Sequence, residues 1–155
     1  MVHLLRGLAA GAAGTTALNA LTYLDMALRG RPASTTPEQT VEKAEELLGR
    51  SLDDFGEQEA ANRRSGVGAL LGIASGLATG VVYGAMRARW PRQNLLVMGA
   101  VAGAIANVGT TLPMTAAGIT DPRQWPVSSW LMDLIPHLGY GVVTAWSYEL
   151  FTKRG

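Results

Sequence analysis

Five glycines at four-residue intervals constrain this chain more than any other feature. Gly68, Gly72, Gly76, Gly80 and Gly84 lie in one stretch without charged residues. Residues four apart share one side of an α-helix, so these glycines form a groove of bare backbone along one helix. In a water-soluble helix they would cost about 4–5 kcal/mol, at roughly 0.8–1 kcal/mol each. In lipid, small residues let helices approach closely, so the pattern predicts a membrane helix packed against another helix.

Charged residues divide the chain into four long apolar segments. Three of these segments carry no charge: 7–24, 65–86 and 93–120. The fourth, 129–151, carries only Asp133 near its start and Glu149 near its end. Each is long enough to cross a bilayer, which takes about 20 residues as a helix. We therefore predict an all-α membrane protein with a single domain over residues 1–155, built as a bundle of four transmembrane helices.

The predicted spans cover residues of about 4–27, 62–88, 94–117 and 129–151. The first is interpreted as a retained span rather than a cleaved signal peptide, because its uncharged run is longer than the usual apolar core of a signal. Glycines elsewhere extend the predicted helix-packing interface beyond the five described above. They are Gly7, Gly11, Gly99 and Gly103.

A polar connection, residues 28–61, joins the first two spans. Within it, the segment from Thr36 to Gln39 has the pattern of a helix start, with Thr36 as N-cap and a proline at the first helical position. We predict a short extracytoplasmic amphipathic helix at about 37–48 that lies on the bilayer surface, caps the bundle or docks a partner. Because it lacks a Lys-rich polar face, capping or docking is favoured. Its predicted apolar stripe consists of Val41, Ala44, Leu47 and Leu48.

The distribution of basic residues predicts the orientation. The connection from Arg87 to Arg92 has three arginines and no acid, Arg6 precedes the first span, and Lys153 and Arg154 follow the last. Cytoplasmic loops carry an excess of Lys and Arg. We therefore predict a multi-pass membrane protein with both termini in the cytoplasm and the long polar connection outside.

Asp133 and His137 are the most informative polar residues, since they lie four apart on the last span. This spacing places both side chains on one helix face. A carboxylate beside an imidazole forms a group that exchanges a proton near neutral pH. The other residues predicted for this ion or proton site are Asp25, Asn19 and Asn107. The structural alternative stays open for each: Asp25 precedes Arg29 by four residues, and buried asparagines form hydrogen bonds between helices.

Several chemistries find no support in the sequence. The chain has no cysteine and only two histidines, which excludes thiolate and histidine-rich metal sites. No nucleophile triad or phosphate-binding loop occurs, so no catalytic residue is assigned and we predict a protein that is not an enzyme and carries no metal or cofactor. No basic block with interleaved aromatics indicates nucleic-acid binding.

The last third of the chain resembles a known family. The segments Thr115–Pro126 (TAAGITDPRQWP) and Ile135–Val143 (IPHLGYGVV) are similar to the YagU-like family of small bacterial inner-membrane proteins. The likeness lies in a loop with glycine, proline and tryptophan before a last helix that carries His-Leu and aromatic residues with glycine. The resemblance implies a four-helix inner-membrane protein and supplies no catalytic residues.

Three functions remain open from the sequence. The first is a non-enzymatic accessory or structural subunit that packs, within membrane lipid, against another integral membrane protein or itself through the glycine face. The second is a small oligomeric transporter or channel that uses the Asp and His groups of the outer leaflet. The third is a lipid-modifying enzyme. If the glycines of the first span fill the groove within the monomer, the argument for a partner weakens.

Overall fold

The computed structural model describes residues 1–153, except for the side chain of Phe55, and those residues contain five α-helices and no strand. The helices are α1 (Val2–Arg29), α2 (Thr36–Leu48), α3 (Glu57–Arg89), α4 (Leu95–Ala116) and α5 (Val127–Lys153). Short 3-10 turns occur at Asp53–Phe55 and Pro122–Gln124. Arg154, which contributes to the predicted orientation, lies outside the described residues.

Local sequence explains several helix ends. Gly30 and Gly49 follow α1 and α2, each with φ of +61°, a left-handed conformation that glycine adopts without steric cost. The N-cap of α4 is Asn94, whose side chain accepts hydrogen bonds from the backbone N–H groups of Leu96 at 2.9 Å and Val97 at 3.3 Å. These contacts satisfy two of the free donors that every helix start exposes.

The four long helices lie in the order α3, α1, α5, α4. α1 packs along α3 on one side and α5 on the other, and α5 packs against α4, whereas α3 and α4 contact each other sparsely. The helices converge at the end where α1 begins and α3 finishes, which we call the inner end. Its apolar core consists of Ala10, Tyr83, Met98, Ala102, Ala145 and Tyr148.

Away from the inner end, α3 and α4 are exposed. We call residues 69–78 of α3 and 107–116 of α4 the outer halves, and neither contains a buried residue. Large apolar side chains project from them: Leu70, Leu71, Ile73, Val108 and Leu112. Both helices are long and apolar enough to cross a membrane. α1 and α5 have 28 and 27 residues but are less apolar.

α2 packs on the first turns of α3. Pro37 lies against Gly68, where an added methyl group would come within 2.8 Å of the proline Cβ. The N-cap of α2 is Thr35 rather than the predicted Thr36, and it makes no side-chain capping bond. Of the predicted apolar stripe, only Val41 packs on the protein, because α2 faces α3 with Pro37 and Val41. The other members of the stripe stay exposed: Ala44, Leu47 and Leu48.

Candidate functional site

Three of the predicted polar residues form one cluster between α4 and α5. Asn107 Nδ2 donates a hydrogen bond to Oδ2 of Asp133. His137 Nδ1 lies 3.4 Å from Oδ1 of Asp133 and 2.7 Å from its backbone oxygen. The side chains of Asp133 and His137 are 22% and 14% exposed. We call these three residues the outer polar cluster.

Glycines bring α4 and α5 close enough to form this cluster. A methyl group added at Gly103 would lie 2.6 Å from the backbone oxygen of His137, and one at Gly141 would lie 2.6 Å from the backbone nitrogen of Gly103. The contact at Gly99 is looser, at 3.2 Å from the oxygen of Gly141. Larger residues at 103 or 141 would push the helices apart and separate Asn107 from Asp133.

Asp25 and Asn19 do not join the outer polar cluster. Asp25 forms ion pairs with Arg29 at 2.8 Å and with Arg31. The side chain of Asn19 is half-buried and makes no hydrogen bond within residues 1–153. The helix order explains the separation, since α5 lies between α1 and α4 and keeps the two asparagine-bearing helices apart. The five predicted polar residues therefore do not form one site.

α1 fills much of the glycine groove of α3. A methyl group at Gly11 would lie 2.8 Å from Cα of Gly80, and one at Gly7 would lie 2.9 Å from Cα of Gly84. Such distances put the two backbones in direct contact, as small residues permit. The inner part of the groove is thus filled by α1 of the same chain. This packing weakens the argument that a partner protein binds there.

Tyr140 connects α5 to α3 across α1. Its hydroxyl donates a hydrogen bond of 2.6 Å to the backbone oxygen of Gly76, and its side chain is fully buried. Gly14 of α1 makes room for the ring, since a methyl group there would lie 2.9 Å from two of the ring carbons. Thr15 of α1 lies against Gly76, so three helices meet at this glycine.

Two glycines of the outer halves have no such neighbour. A methyl group added at Gly72 or at Gly109 would meet no atom within 4 Å. Five glycines were predicted to form the groove on α3. Within residues 1–153, α2 covers Gly68 and α1 covers three others, so that Gly72 alone stays uncovered.

The inner end carries a second polar group that the sequence analysis missed. Arg87 of α3 forms an ion pair with Glu149 of α5 and donates hydrogen bonds to the backbone oxygens of Gln93 at 3.1 Å and Trp90 at 3.5 Å. The side chain of Arg87 is 9% exposed. The four-residue spacing of Glu149 and Lys153 predicts a pair within α5. That prediction is wrong, because Glu149 instead pairs with Arg87 of α3.

Aromatic side chains complete the inner polar group. Tyr83 and Tyr148 are buried and pack edge to face, with ring centres 5.4 Å apart. His3 Nδ1 lies 2.7 Å from the hydroxyl of Tyr148. The hydroxyl of Tyr83 and Nε of Arg87 are buried without a hydrogen-bond partner within the described part of the chain. These side chains join α1, α3 and α5, and Arg87 also contacts the connection that leads to α4. The four-residue spacing of Tyr83 and Arg87 on one helix face was the signal available in the sequence.

Arg64 ties α2 to α3 at the other end of the molecule. Its guanidinium donates to both carboxylate oxygens of Glu45, at 3.0 and 2.7 Å, and to Asp53 at 2.9 Å. The hydrogen bond from Arg64 holds the pKa of Glu45 below its ordinary value. The pKa of Asp53 is lowered too, first by the hydroxyl of Ser51 and then by Arg64. α2 also lies beside residues 117–119, with which it lines a shallow depression.

These geometries limit the chemistry available. Within residues 1–153, no group of three His, Asp or Glu side chains is placed to hold a metal ion. The outer polar cluster offers a carboxylate, an imidazole and an amide, which can bind a proton or a polar solute.

Comparisons with protein-family models, with curated proteins and with solved structures found no match for the chain. The resemblance to the YagU-like family therefore stays a prediction.

Proposed function

We propose that the chain is a four-span protein of the cell membrane, the inner membrane in a bacterium. α1, α3, α4 and α5 cross the bilayer, and α2 lies at its extracytoplasmic surface. The lengths of the four helices and the apolar character of α3 and α4 support this arrangement. The arginine-rich connection from Arg87 to Arg92 supports a cytoplasmic inner end, which also puts both termini in the cytoplasm.

The function that the geometry supports best is that of a non-enzymatic accessory or structural subunit. The observation that carries it is the contrast within α3 and α4, whose outer halves leave Gly72 and Gly109 uncovered while other glycines of both helices are in tight contact. A glycine that faces lipid lowers helix stability and gains no backbone packing in return. A transmembrane helix of another integral membrane protein, packed on the outer halves, would use both.

The test replaces these glycines and measures assembly. Gly72→Leu and Gly109→Leu fill positions at which an added Cβ would meet no other atom within 4 Å. We expect each variant to fold and to lose a co-migrating protein from the complex extracted in mild detergent. Ala20→Leu is the matched control, because Ala20 is exposed on α1. Retention of the complex in both glycine variants would reject the proposal, and a homo-oligomer in place of a foreign protein would make a second copy the partner.

A small oligomeric transporter or channel is the second candidate, and the outer polar cluster favours it. Ionisable residues within membrane spans are costly and commonly mark ion or proton pathways. This function predicts a pH-dependent flux of protons or a small solute in reconstituted vesicles. The flux should vanish in His137→Ala and in Asp133→Asn. Unaltered flux in both variants would remove the transporter.

A further inference from the structure

We propose that the outer half of α4 closes on α3, and that Gly72 and Gly109 meet when it does. The two helices share the core of the inner end, to which Tyr83 of α3 and Met98 of α4 belong. Toward the outer side, Gly72 lies eleven residues from Tyr83, and Gly109 lies eleven residues from Met98. Eleven residues are close to three full turns of an α-helix and about 16 Å of its length. Both glycines therefore lie at the same level of the bundle, on the faces that α3 and α4 turn toward each other.

At this level a gap separates the two helices. An added methyl group at Gly72 or Gly109 would meet no atom within 4 Å, and neither outer half contains a buried residue. The walls of the gap carry no charge, because α4 contains no charged residue and α3 contains none from 65 to 86. Closing the gap therefore brings no charges together. Bare glycines let two backbones come into direct contact, as Gly11 and Gly80 do between α1 and α3.

α3 is fixed on both sides of the gap. Pro37 of α2 lies against Gly68, one turn before Gly72. One turn after Gly72, the backbone oxygen of Gly76 accepts a hydrogen bond from the buried Tyr140. These contacts hold the backbone of α3 in place at Gly72, so the closing movement must come from α4.

The outer half of α4 has fewer restraints. Within residues 1–153, the last hydrogen bond from α4 to α5 is donated by Asn107 to Asp133. Pro113 lies inside the segment that follows, and it has no N–H to donate to the carbonyl oxygen of Gly109, four residues earlier. A helix bends where its hydrogen-bond ladder is interrupted by proline. The interruption and the open glycine coincide, so α4 can bend at the residue that reaches α3.

This inference goes beyond the accessory role, because it concerns the chain without a partner. A partner helix packed on the outer halves keeps the gap open, whereas the free chain alternates between the open arrangement of the structure and a closed one. Closing also moves residues 117–119, which follow α4 directly and line the depression beside α2. The movement thus connects a contact within the membrane to the extracytoplasmic surface.

Cross-linking of the purified full-length chain in nanodiscs tests the closed arrangement. The chain has no cysteine, so Gly72→Cys and Gly109→Cys introduce a single pair. A disulfide forms between Cα atoms within about 7 Å of each other, so its rate reports how often the two positions meet. The control pair is Gly72→Cys with Val108→Cys, because Val108 is exposed and turned about 100° away from Gly109 on α4.

We expect oxidation by copper phenanthroline to join the pair at 72 and 109 within one chain about tenfold faster than the control pair, since only the former lies on facing helix sides. Equal rates for the two pairs would overturn the proposal. Cross-links that form only between chains would also overturn it, and they would make a second copy of the chain the partner.

Spin labels follow the movement with both glycines in place. Leu71→Cys and Leu112→Cys put the labels at exposed positions of the outer halves. We expect two distances in the labelled chain, and we expect the shorter one to be lost when Gly109→Leu fills the gap. A single distance that Gly109→Leu leaves unchanged would overturn the proposal. Both measurements use the chain without a partner, so their outcome is independent of whether Gly72→Leu and Gly109→Leu retain a complex.

Discussion

Gly80 and Gly72 lie about two turns apart on the same face of α3, yet they have opposite surroundings. An added methyl group at Gly80 would strike the backbone of Gly11, whereas one at Gly72 would meet nothing within 4 Å. A repeating pattern in the sequence therefore serves two purposes along one helix. Its inner part packs against α1, whereas at Gly72 an added methyl group has no neighbour among the described residues.

The same contrast separates the inner end from the outer halves. At the inner end, apolar packing and the ion pair between Arg87 and Glu149 join the long helices. The outer halves of α3 and α4 contain no buried residue. The loss of stability caused by a substitution should therefore be largest at the inner end and decrease along a gradient toward the outer halves.

The largest effect is expected for Arg87→Ala. The substitution leaves Glu149 without its partner and frees the backbone oxygens of Gln93 and Trp90, and removal of one member of a buried ion pair costs about 3 kcal/mol or more. The measurement is the free energy of unfolding in mixed micelles. Arg89→Ala is the control, since Arg89 is exposed, and it should change stability by less than about 0.5 kcal/mol. Equal effects of the two substitutions would contradict the gradient.

Gly80→Ala should lower the free energy of unfolding by about 1–3 kcal/mol, because the new methyl group forces α1 and α3 apart. Gly72→Ala adds the same group two turns away in open space. It should be neutral or stabilise the helix by up to about 1 kcal/mol. Mixed-micelle unfolding of the pair compares the two positions directly. A larger loss of unfolding free energy for Gly72→Ala than for Gly80→Ala would contradict the predicted difference between the two positions.

Tyr140→Phe removes the hydrogen bond to Gly76 and keeps the ring that fills the space beside Gly14. Interhelical hydrogen bonds in membranes contribute about 0.6 kcal/mol on average, so a loss of that order is expected in the same unfolding assay. Tyr23 is exposed on α1, and Tyr23→Phe provides a matched control with no loss. If Tyr140→Phe left the free energy of unfolding unchanged, the ring, and not the hydroxyl, would be what joins α5 to α3.

Acidification should weaken the packing of α2 on α3 and leave the inner end unchanged. Because the pKa of Glu45 in the folded chain lies below the ordinary value of 4.5, its contribution to docking is complete above that value and is lost as the pH falls through the lowered pKa. The chain has no cysteine, so spin labels at Ala44→Cys and Ala61→Cys report the separation of α2 from α3. We expect the distance distribution to broaden only below pH 4.5.

Two substitutions separate Glu45 from its neighbours in that experiment. Glu45→Gln should broaden the distance distribution already at neutral pH, because Arg64 loses its bidentate partner. Glu46→Gln removes a carboxylate that pairs with Lys43 on the surface and should behave like the parent chain. An acid response that survives in Glu45→Gln would assign the effect to Asp53.

The sequence predicted the all-helical architecture because long uncharged runs and helix-ending glycines act locally. It also placed Asp133 and His137 on one face, since a four-residue spacing needs no tertiary information. Asp25 pairs with Arg29, as the four-residue spacing predicts, and with Arg31 nearby, whereas the partner of Glu149 depends on which helices are neighbours. The pairing of Glu149 with Arg87 therefore had no signal in local spacing, and the separation of Asn19 from Asn107 followed from the position of α5 between α1 and α4.

The order α3, α1, α5, α4 has a consequence for biogenesis. α1 is synthesised first, but both of its neighbours come later, and α5 comes last. During translation the glycine face of α1 therefore remains unpacked until α3 has been synthesised. The space beside Gly14 stays empty until Tyr140 emerges from the ribosome. We expect α1 in a nascent chain that stops before α5 to lack one of its two packing partners, so that the final helix completes the fold.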